Sequence, residues 1–161
     1  MAPNNYTLRR DSSGVEAVVA NGREFDPGIT IPNGGWNAPL ADLVKYATFL
    51  TNATQGGDPA TKRLYDAVLK RSSIEEMWKP VMQLVPPSVL GSAVGLSFFL
   101  MPRGLLAHQG YQAGFRSLLV MNPRTSQAII FALNTDNEAD PERSQEGLST
   151  LVAKARAVIE Q

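Results

Sequence analysis

The stretch Phe115 to Leu133 reads Phe-Arg-Ser-Leu-Leu-Val-Met-Asn-Pro-Arg-Thr-Ser-Gln-Ala-Ile-Ile-Phe-Ala-Leu, and it decides the fold class. Its two apolar runs, Phe115 to Met121 and Ala128 to Leu133, are rich in the aromatic, β-branched and long apolar residues that favour strands. The segment Asn122 to Thr125 between them contains Asn-Pro, which is a strong turn signal. The pattern therefore predicts two neighbouring antiparallel strands.

Further apolar segments lie on both sides of this pair. The run Val94 to Met101 predicts another strand, and Arg103-Gly104 separates it from the short segment Leu105 to His108. The spacing of these segments is typical of an antiparallel meander. After the strands, a helix is predicted over Pro141 to Glu160, because apolar residues recur there in one helical stripe that can cover the sheet. The stripe consists of Leu148, Leu151, Val152, Ala155, Val158 and Ile159.

The N-terminal half predicts a hairpin followed by a helix. Strand-forming runs at Tyr6 to Arg10 and Val15 to Val19 flank a turn at Asp11 to Gly14. A helix is predicted over Pro39 to Asn52, with Asn37 as its N-cap and Pro39 in its first turn.

Two shorter helices are predicted next. One runs from about Pro59 to Lys70, and a capping box at Ser72 or Ser73 opens another that continues through Trp78. Pro80 and then Pro86-Pro87 predict that this helix ends and that a loop follows.

These elements predict an α+β fold: an antiparallel β-sheet with flanking helices and a C-terminal helix packed on the sheet. At 161 residues the chain has the length of a single domain, residues 1–161, that can bury a core. Its 43% hydrophobic content and 19% charged content are typical of a soluble globular protein.

Composition excludes several kinds of function. Fifteen basic residues balance fifteen acidic ones, which argues against nucleic acid or an anionic membrane as a partner. There is no cysteine and only one histidine, so thiolate nucleophiles, disulfides and multi-histidine metal centres are excluded. No phosphate-binding or dinucleotide fingerprint occurs, and we expect neither a metal nor a cofactor. No apolar run has the length of a membrane span, and the compartment stays open.

His108 is the one side chain suited to general base chemistry near neutral pH. A lone histidine at a strand end is most often structural or simply exposed to solvent. Its context differs here, because Gly110 follows closely and a Gly-Phe pair then opens the next strand. A glycine at such a place lets a ligand approach the backbone, and an edge strand can donate hydrogen bonds to a substrate or an oxyanion.

The order of these segments resembles the C-terminal portion of the serine β-lactamase-like family, which comprises class C β-lactamases, DD-peptidases and related esterases. The resemblance runs from about Gly34 to the C-terminus. The matching segments are Gly34 to Leu43, Ser73 to Met77, His108-Gln109-Gly110, Gly114 to Ser117 and Asn122-Pro123. His108-Gln109-Gly110 stands where the family has its third motif, Lys-Thr-Gly or His-Thr-Gly.

The resemblance implies a substrate-binding set of His108, Gln109, Gly110 and Tyr111. His108 would bind the substrate carboxylate or take part in the proton network. Gln109 stands where threonine or serine is usual, and its amide would still hydrogen-bond a substrate. Gly110 would keep the wall of the site flat, and the backbone N–H of Tyr111 would supply half of the oxyanion hole.

The chain departs from the family by lacking its nucleophile. It contains neither Ser-x-x-Lys nor Tyr-x-Asn, so no catalytic set is complete. The chain is therefore predicted to be a truncated piece, a gene fragment or a natural remnant of an enzyme that hydrolyses an amide or ester through an acyl-serine. The parent enzyme's substrate would be a small molecule or peptide-like compound, and the piece alone is predicted to be inactive.

Two alternatives stay open. One is a non-catalytic binding or self-associating module that retains part of the fold, and the other is a novel histidine-dependent hydrolase. If the chain is instead a piece of the hydrolase, the missing front half would leave a sheet edge and an apolar face exposed, through which homo-oligomers can form.

Overall fold

The computed structural model describes residues 5–20, 28–30, 34, 38–52, 58–112, 114–136 and 140–160. The described chain is α+β, with a six-stranded antiparallel sheet, a three-stranded sheet and four helices. The strands are β1 (Tyr6–Arg10), β2 (Glu16–Ala20), β3 (Met82–Ser88), β4 (Gly91–Val94), β5 (Phe99–Leu100), β6 (Leu106–Gln112), β7 (Phe115–Asn122), β8 (Gln127–Leu133) and β9 (Thr135–Asp136). The helices are α1 (Leu40–Thr51), α2 (Pro59–Val68), α3 (Arg71–Met77) and α4 (Pro141–Ile159).

The six-stranded sheet is a meander in which every strand pairs with its neighbour in sequence. Its order is β3-β4-β5-β6-β7-β8. The smaller sheet has the order β2-β1-β9, in which β1 and β2 form an antiparallel hairpin and β1 runs parallel to β9. The predicted α+β class and the predicted antiparallel sheet are confirmed.

Both faces of the large sheet carry a hydrophobic core, because successive strand side chains point to opposite faces. Helix α4 covers one face, which we call the α4 face. Its buried cluster contains Leu90, Met101, Leu105, Ala107, Leu118, Val120, Leu148, Val152, Ala155 and Ile159. The opposite face, which we call the α1 face, carries a smaller cluster with residues of α1 and α3. This second cluster contains Leu50, Ile74, Phe98, Leu106 and Met121.

The predicted turn between the last two long strands is confirmed, and Asn122 organises it. Its Oδ1 accepts hydrogen bonds from the backbone N–H groups of Arg124 at 3.1 Å and Thr125 at 3.4 Å. Its Nδ2 donates to the backbone oxygen of Ile159 at 3.1 Å. One buried side chain thus joins the β7–β8 turn to the end of α4.

The loop predicted around Pro86-Pro87 is wrong, because this segment belongs to β3. Proline cannot donate to a strand ladder and is tolerated at edges and irregularities. Strand β3 lies at the edge of the sheet, and its register with β4 shifts between Gln83 and Ser88, the interval that contains both prolines.

Two strand boundaries also differ from prediction. The run Val94 to Met101 is not one strand, because β4 ends at Val94 and the chain turns before β5. The Gly95 N–H donates to the Phe98 oxygen at 2.8 Å across that turn. The short segment predicted to end at His108 continues to Gln112 as β6, since β7 pairs with it along its whole length.

The starts of two helices are corrected as well. Neither Ser72 nor Ser73 caps α3, because both lie inside that helix and Lys70 precedes it with no side-chain cap. The helix start is held instead by Arg71, which donates to the Leu50 oxygen at 2.6 Å and places its guanidinium carbon 4.7 Å from the Trp78 ring centre. Such tertiary contacts have no signature in a local capping pattern.

Helix α1 begins one residue later than predicted. Pro39 occupies its N-cap position without a side-chain cap, and Leu40 is the first helical residue. The predicted cap Asn37 lies outside the described residues. The helix also ends one residue earlier than predicted, at Thr51, because Asn52 adopts a left-handed conformation with φ 55° and is its C-cap.

Candidate functional site

The four predicted site residues lie in the second half of β6. Strand β7 pairs with all of them, from His108 opposite Leu119 to Tyr111 opposite Arg116. On the other side, β5 pairs only with Leu106 and Ala107. Within the described part of the chain, β6 therefore has no strand neighbour on its β5 side from His108 onward.

The four residues do not share one face of the sheet. Ala107 belongs to the core under α4 and Leu106 to the core on the α1 face, which fixes the alternation along β6. His108 and Gly110 consequently face the α1 side, whereas Gln109 and Tyr111 face the α4 side. A ligand along the open edge can reach both groups, but a ligand on one face reaches only one pair.

His108 is an exposed residue whose ring is nevertheless partly desolvated by neighbouring protein atoms. This desolvation lowers the pKa of His108 from its ordinary value of 6.5. The neutral form of the ring therefore predominates at pH 7. A neutral imidazole can accept a proton or a hydrogen bond, but it lacks the positive charge that would attract a substrate carboxylate.

Ser117 of β7 is the serine that strand pairing places beside His108 and Gly110 on the α1 face. It lies opposite Gly110, and a Cβ added to Gly110 would meet Ser117 Oγ at 2.5 Å. The glycine therefore leaves room for that hydroxyl. No hydrogen bond joins His108 to Ser117 in the described structure, so the two do not form a nucleophile and base pair as they stand.

A cavity of about 570 Å³ lies on the α4 face, where Gln109 and Gly110 form part of its lining. Arg116, at its wall, donates from Nη2 to Ser144 Oγ of α4 at 2.6 Å. The guanidinium carbon of Arg116 lies 4.3 Å from the centre of the Tyr111 ring, which is a cation–π geometry. The Tyr111 ring thus stabilises the Arg116 guanidinium on the α4 face.

Sequence reasoning did not identify Arg116 or the α4 residues of this cavity as functional. A signal was present in the predicted helix, because Ser144 and Gly147 precede Leu148 and Leu151 on the same stripe. Small residues at core-facing helix positions leave space that long apolar residues would fill. The pairing of Arg116 with Ser144 joins residues 28 positions apart and could not be read from local spacing.

The described residues contain no group of three or more histidine, cysteine, aspartate or glutamate side chains arranged to hold a metal ion. Among these same residues, no helix combines the length and apolar composition needed to cross a membrane.

Comparisons with known proteins add no relative. No family model matches the chain. No curated protein matches it either. The resemblance to β-lactamase-like enzymes thus stays a prediction based on the motifs themselves.

Proposed function

We propose that this chain is the active-site-wall portion of a β-lactamase-like serine hydrolase. The observation that carries the proposal is the position of His108-Gln109-Gly110 on β6, a strand that pairs with β7 along its length and, among the described residues, has no strand neighbour on its other side beyond Ala107. Such a strand can bind an extended substrate through its backbone while its side chains fix orientation. The reaction of the whole enzyme would be acyl transfer to a serine followed by hydrolysis.

In this proposal His108 acts as a neutral member of the proton network. Its lowered pKa favours accepting a proton over binding a carboxylate by charge. Gln109 hydrogen-bonds the substrate from the other face through its amide, and the backbone N–H of Tyr111 donates a hydrogen bond to the oxyanion. The nucleophilic serine and its base would come from a Ser-x-x-Lys segment, which the 161 residues do not contain.

The chain by itself is expected to be inactive. Purified protein incubated with nitrocefin or a p-nitrophenyl ester should give no saturable turnover. Saturable hydrolysis that disappears in His108→Ala, and persists in the surface control Lys154→Ala, would contradict this expectation and favour a histidine-dependent hydrolase.

The family assignment has a separate test in the coding DNA. An in-frame Ser-x-x-Lys encoded upstream of Met1 would supply the nucleophile. A protein extended to include it should hydrolyse esters or β-lactams, and His108→Gln should reduce kcat in that longer protein. Unchanged kcat in the variant would remove His108 from the proposed proton network.

A self-associating module is the second candidate, and the exposure of β2 favours it. All five residues of β2 are exposed, and its sequence Glu-Ala-Val-Val-Ala contains neither lysine nor proline to block pairing. Among the described strands it pairs only with β1. Light scattering should then detect a dimer that Val18→Lys disrupts and that Val158→Lys, at a similarly exposed valine on α4, preserves. A monomer at high concentration would rule this candidate out.

A further inference from the structure

The two edges of the six-stranded sheet differ in how they are protected from pairing with another strand. At one edge, β3 contains Pro86 and Pro87, and its register with β4 shifts over the interval that includes them. At the other edge, β8 pairs with β7 in an unbroken register along its whole length. Prolines and an irregular register hinder the addition of a strand, whereas a regular edge presents its outward N–H and C=O groups. Among the described strands β8 pairs only with β7, so its other side is open.

The sequence of β8 adds no protection to this edge. Its seven residues read Gln-Ala-Ile-Ile-Phe-Ala-Leu and contain neither a charged side chain nor proline, which are the usual means of blocking an exposed edge. None of the seven is buried. A regular, uncharged and apolar edge strand of this length is a site for pairing with a strand of another chain.

An apolar groove lies beside this edge on the α1 face. It has a volume of about 300 Å³ and is formed between α1 and β8. Ala128 and Ile130 line it on the strand side. Its helix side includes Leu40, which is 55% exposed, and Val44, which is 53% exposed. The unpaired backbone of β8 and the uncovered side chains of α1 therefore belong to one surface.

The β8 sequence is complementary to itself when two copies pair antiparallel about Ile130. In that register Ile129 lies opposite the second copy's Phe131, and a β-branched residue facing an aromatic one is a favourable cross-strand pair. Ala128 lies opposite the second copy's Ala132, and no like charges meet along the strand. The register is symmetric about Ile130, as a two-fold contact between identical chains requires.

This register also gives the groove an occupant. Ile129 and Phe131 both pack against the core under α4, so pairing them across the copies keeps the α4 faces on one side of the combined sheet. The α1 faces then lie together on the other side, because successive strand residues point to opposite faces. The groove-lining residues Leu40 and Val44 of the two copies consequently face each other across the two-fold axis, where their apolar surface is removed from water.

We propose that the β8 edge is a two-fold interface for a second copy of this chain, in which β8 pairs with β8 and the two α1 grooves close against each other. The dimer requires neither a nucleophile nor the open side of β6, so it is independent of the hydrolase proposal. It also uses a different surface from the β2 edge.

Sedimentation velocity across the micromolar range measures the association. Wild-type protein should shift from monomer to dimer as its concentration rises. Ala132→Lys places a charge on the β8 edge and Val44→Lys places one in the groove, each next to the same charge of the second copy. Each should weaken the dimer about 10-fold or more, since facing like charges cost several kcal/mol. Val18→Lys on β2 and Val158→Lys on α4, at valines that are also exposed, should leave the dimer unchanged.

Cross-linking tests the register itself. The chain contains no cysteine, so Ile130→Cys introduces a single thiol. The two-fold axis places this thiol opposite its own copy, with about 5 Å between the two Cα atoms. A short bismaleimide should therefore convert Ile130→Cys into a covalent dimer and leave Val18→Cys mainly monomeric. Circular dichroism and a urea midpoint check that each variant is folded.

Four results would overturn the proposed interface. Wild-type protein that stays monomeric over the whole range would leave the β8 edge to a strand of a different protein. Dimers of wild-type strength in both folded lysine variants, Ala132→Lys and Val44→Lys, would exclude the β8 edge and the groove. Loss of the dimer in Val18→Lys would identify β2 as the contact edge instead. Equal cross-linking of Ile130→Cys and Val18→Cys would refute the register.

Discussion

Replacing Asn122 by alanine should destabilise the protein, and the lost hydrogen bond to the end of α4 should account for more of this effect than the lost hydrogen bonds within the β7–β8 turn. Asn122 is 3% exposed and makes three hydrogen bonds to backbone groups. Its Nδ2 donates to the carbonyl of Ile159, a residue only 2% exposed. Helix ends leave their last carbonyl groups without intrahelical partners, so this side chain satisfies a group that the helix itself cannot.

The expected loss of unfolding free energy follows from the burial of each partner. A buried acceptor that loses its donor costs about 1–3 kcal/mol, and the carbonyl of Ile159 falls in this class. The N–H groups of Arg124 and Thr125 belong to exposed residues, so water can replace the lost acceptor at a cost of about 0.5 kcal/mol each. We therefore expect Asn122→Ala to lower the unfolding free energy by about 2–4 kcal/mol.

Urea unfolding followed by circular dichroism measures this loss. With a slope of about 2 kcal/mol per molar urea, the midpoint should fall by about 1–2 M. Asn122→Asp separates the two roles, because it keeps the acceptor for the turn but removes the donor to Ile159. It should be at least as destabilised as Asn122→Ala at pH 7, since it also places a negative charge near the negative end of the α4 dipole.

Lys154→Ala, on the exposed side of α4, is the matched control and should change stability by about 0.5 kcal/mol or less. A midpoint for Asn122→Ala within error of wild type would refute the reasoning. Wild-type stability in Asn122→Asp would show instead that the turn contacts alone account for the role of Asn122.

Three further outcomes follow from the same structure. Gly147→Ala should raise the unfolding free energy by about 0.5–1 kcal/mol in urea titrations, because alanine favours helix and its methyl group meets no neighbour. Gly91→Ala should lower the urea-derived free energy by about 2–4 kcal/mol, because φ is +146° and the new Cβ would overlap the backbone oxygen of Leu100. The pKa of His108 in the folded protein lies below the unfolded value near 6.5. The folded state therefore loses stability relative to the unfolded state as the pH falls below about 6.5, where the unfolded chain binds a proton first. His108→Gln should lessen the fall in urea midpoint between pH 7.5 and pH 5. An equal fall in both proteins would contradict the last prediction.

The parts of the fold that the sequence predicted are those with long, regular patterns. Strands β7 and β8 are apolar enough to be recognised, and the Asn122-Pro123 turn fixes their pairing. Helix α4 carries its stripe of apolar residues from Leu148 to its last residue, Ile159. Strand β3 was not predicted because its prolines, taken locally, indicate a loop. An edge strand tolerates proline, but the edge position of β3 is a property of the whole sheet and has no local sequence signal.

The strand that carries the candidate site could be predicted from the sequence, but the contacts of that site with α4 could not. The alternation along β6 could have assigned His108 and Gln109 to opposite faces, because the period of a strand is two. The contact of Arg116 with Ser144 depended on the placement of α4 over the sheet, which no local pattern specifies. The cavity follows from this placement together with the missing side chain of Gly147.

The geometry of β6 constrains how any one substrate could use the predicted set. His108 and Gln109 are adjacent in sequence but are separated by the thickness of the sheet at their side chains. A single small molecule can touch both only at the edge of β6, where β5 no longer pairs with the strand. A substrate that contacts His108 and Gln109 together must therefore lie along this edge and exchange hydrogen bonds with the backbone, as an added strand does. An extended peptide-like acyl compound satisfies this requirement better than a compact ligand seated on one face.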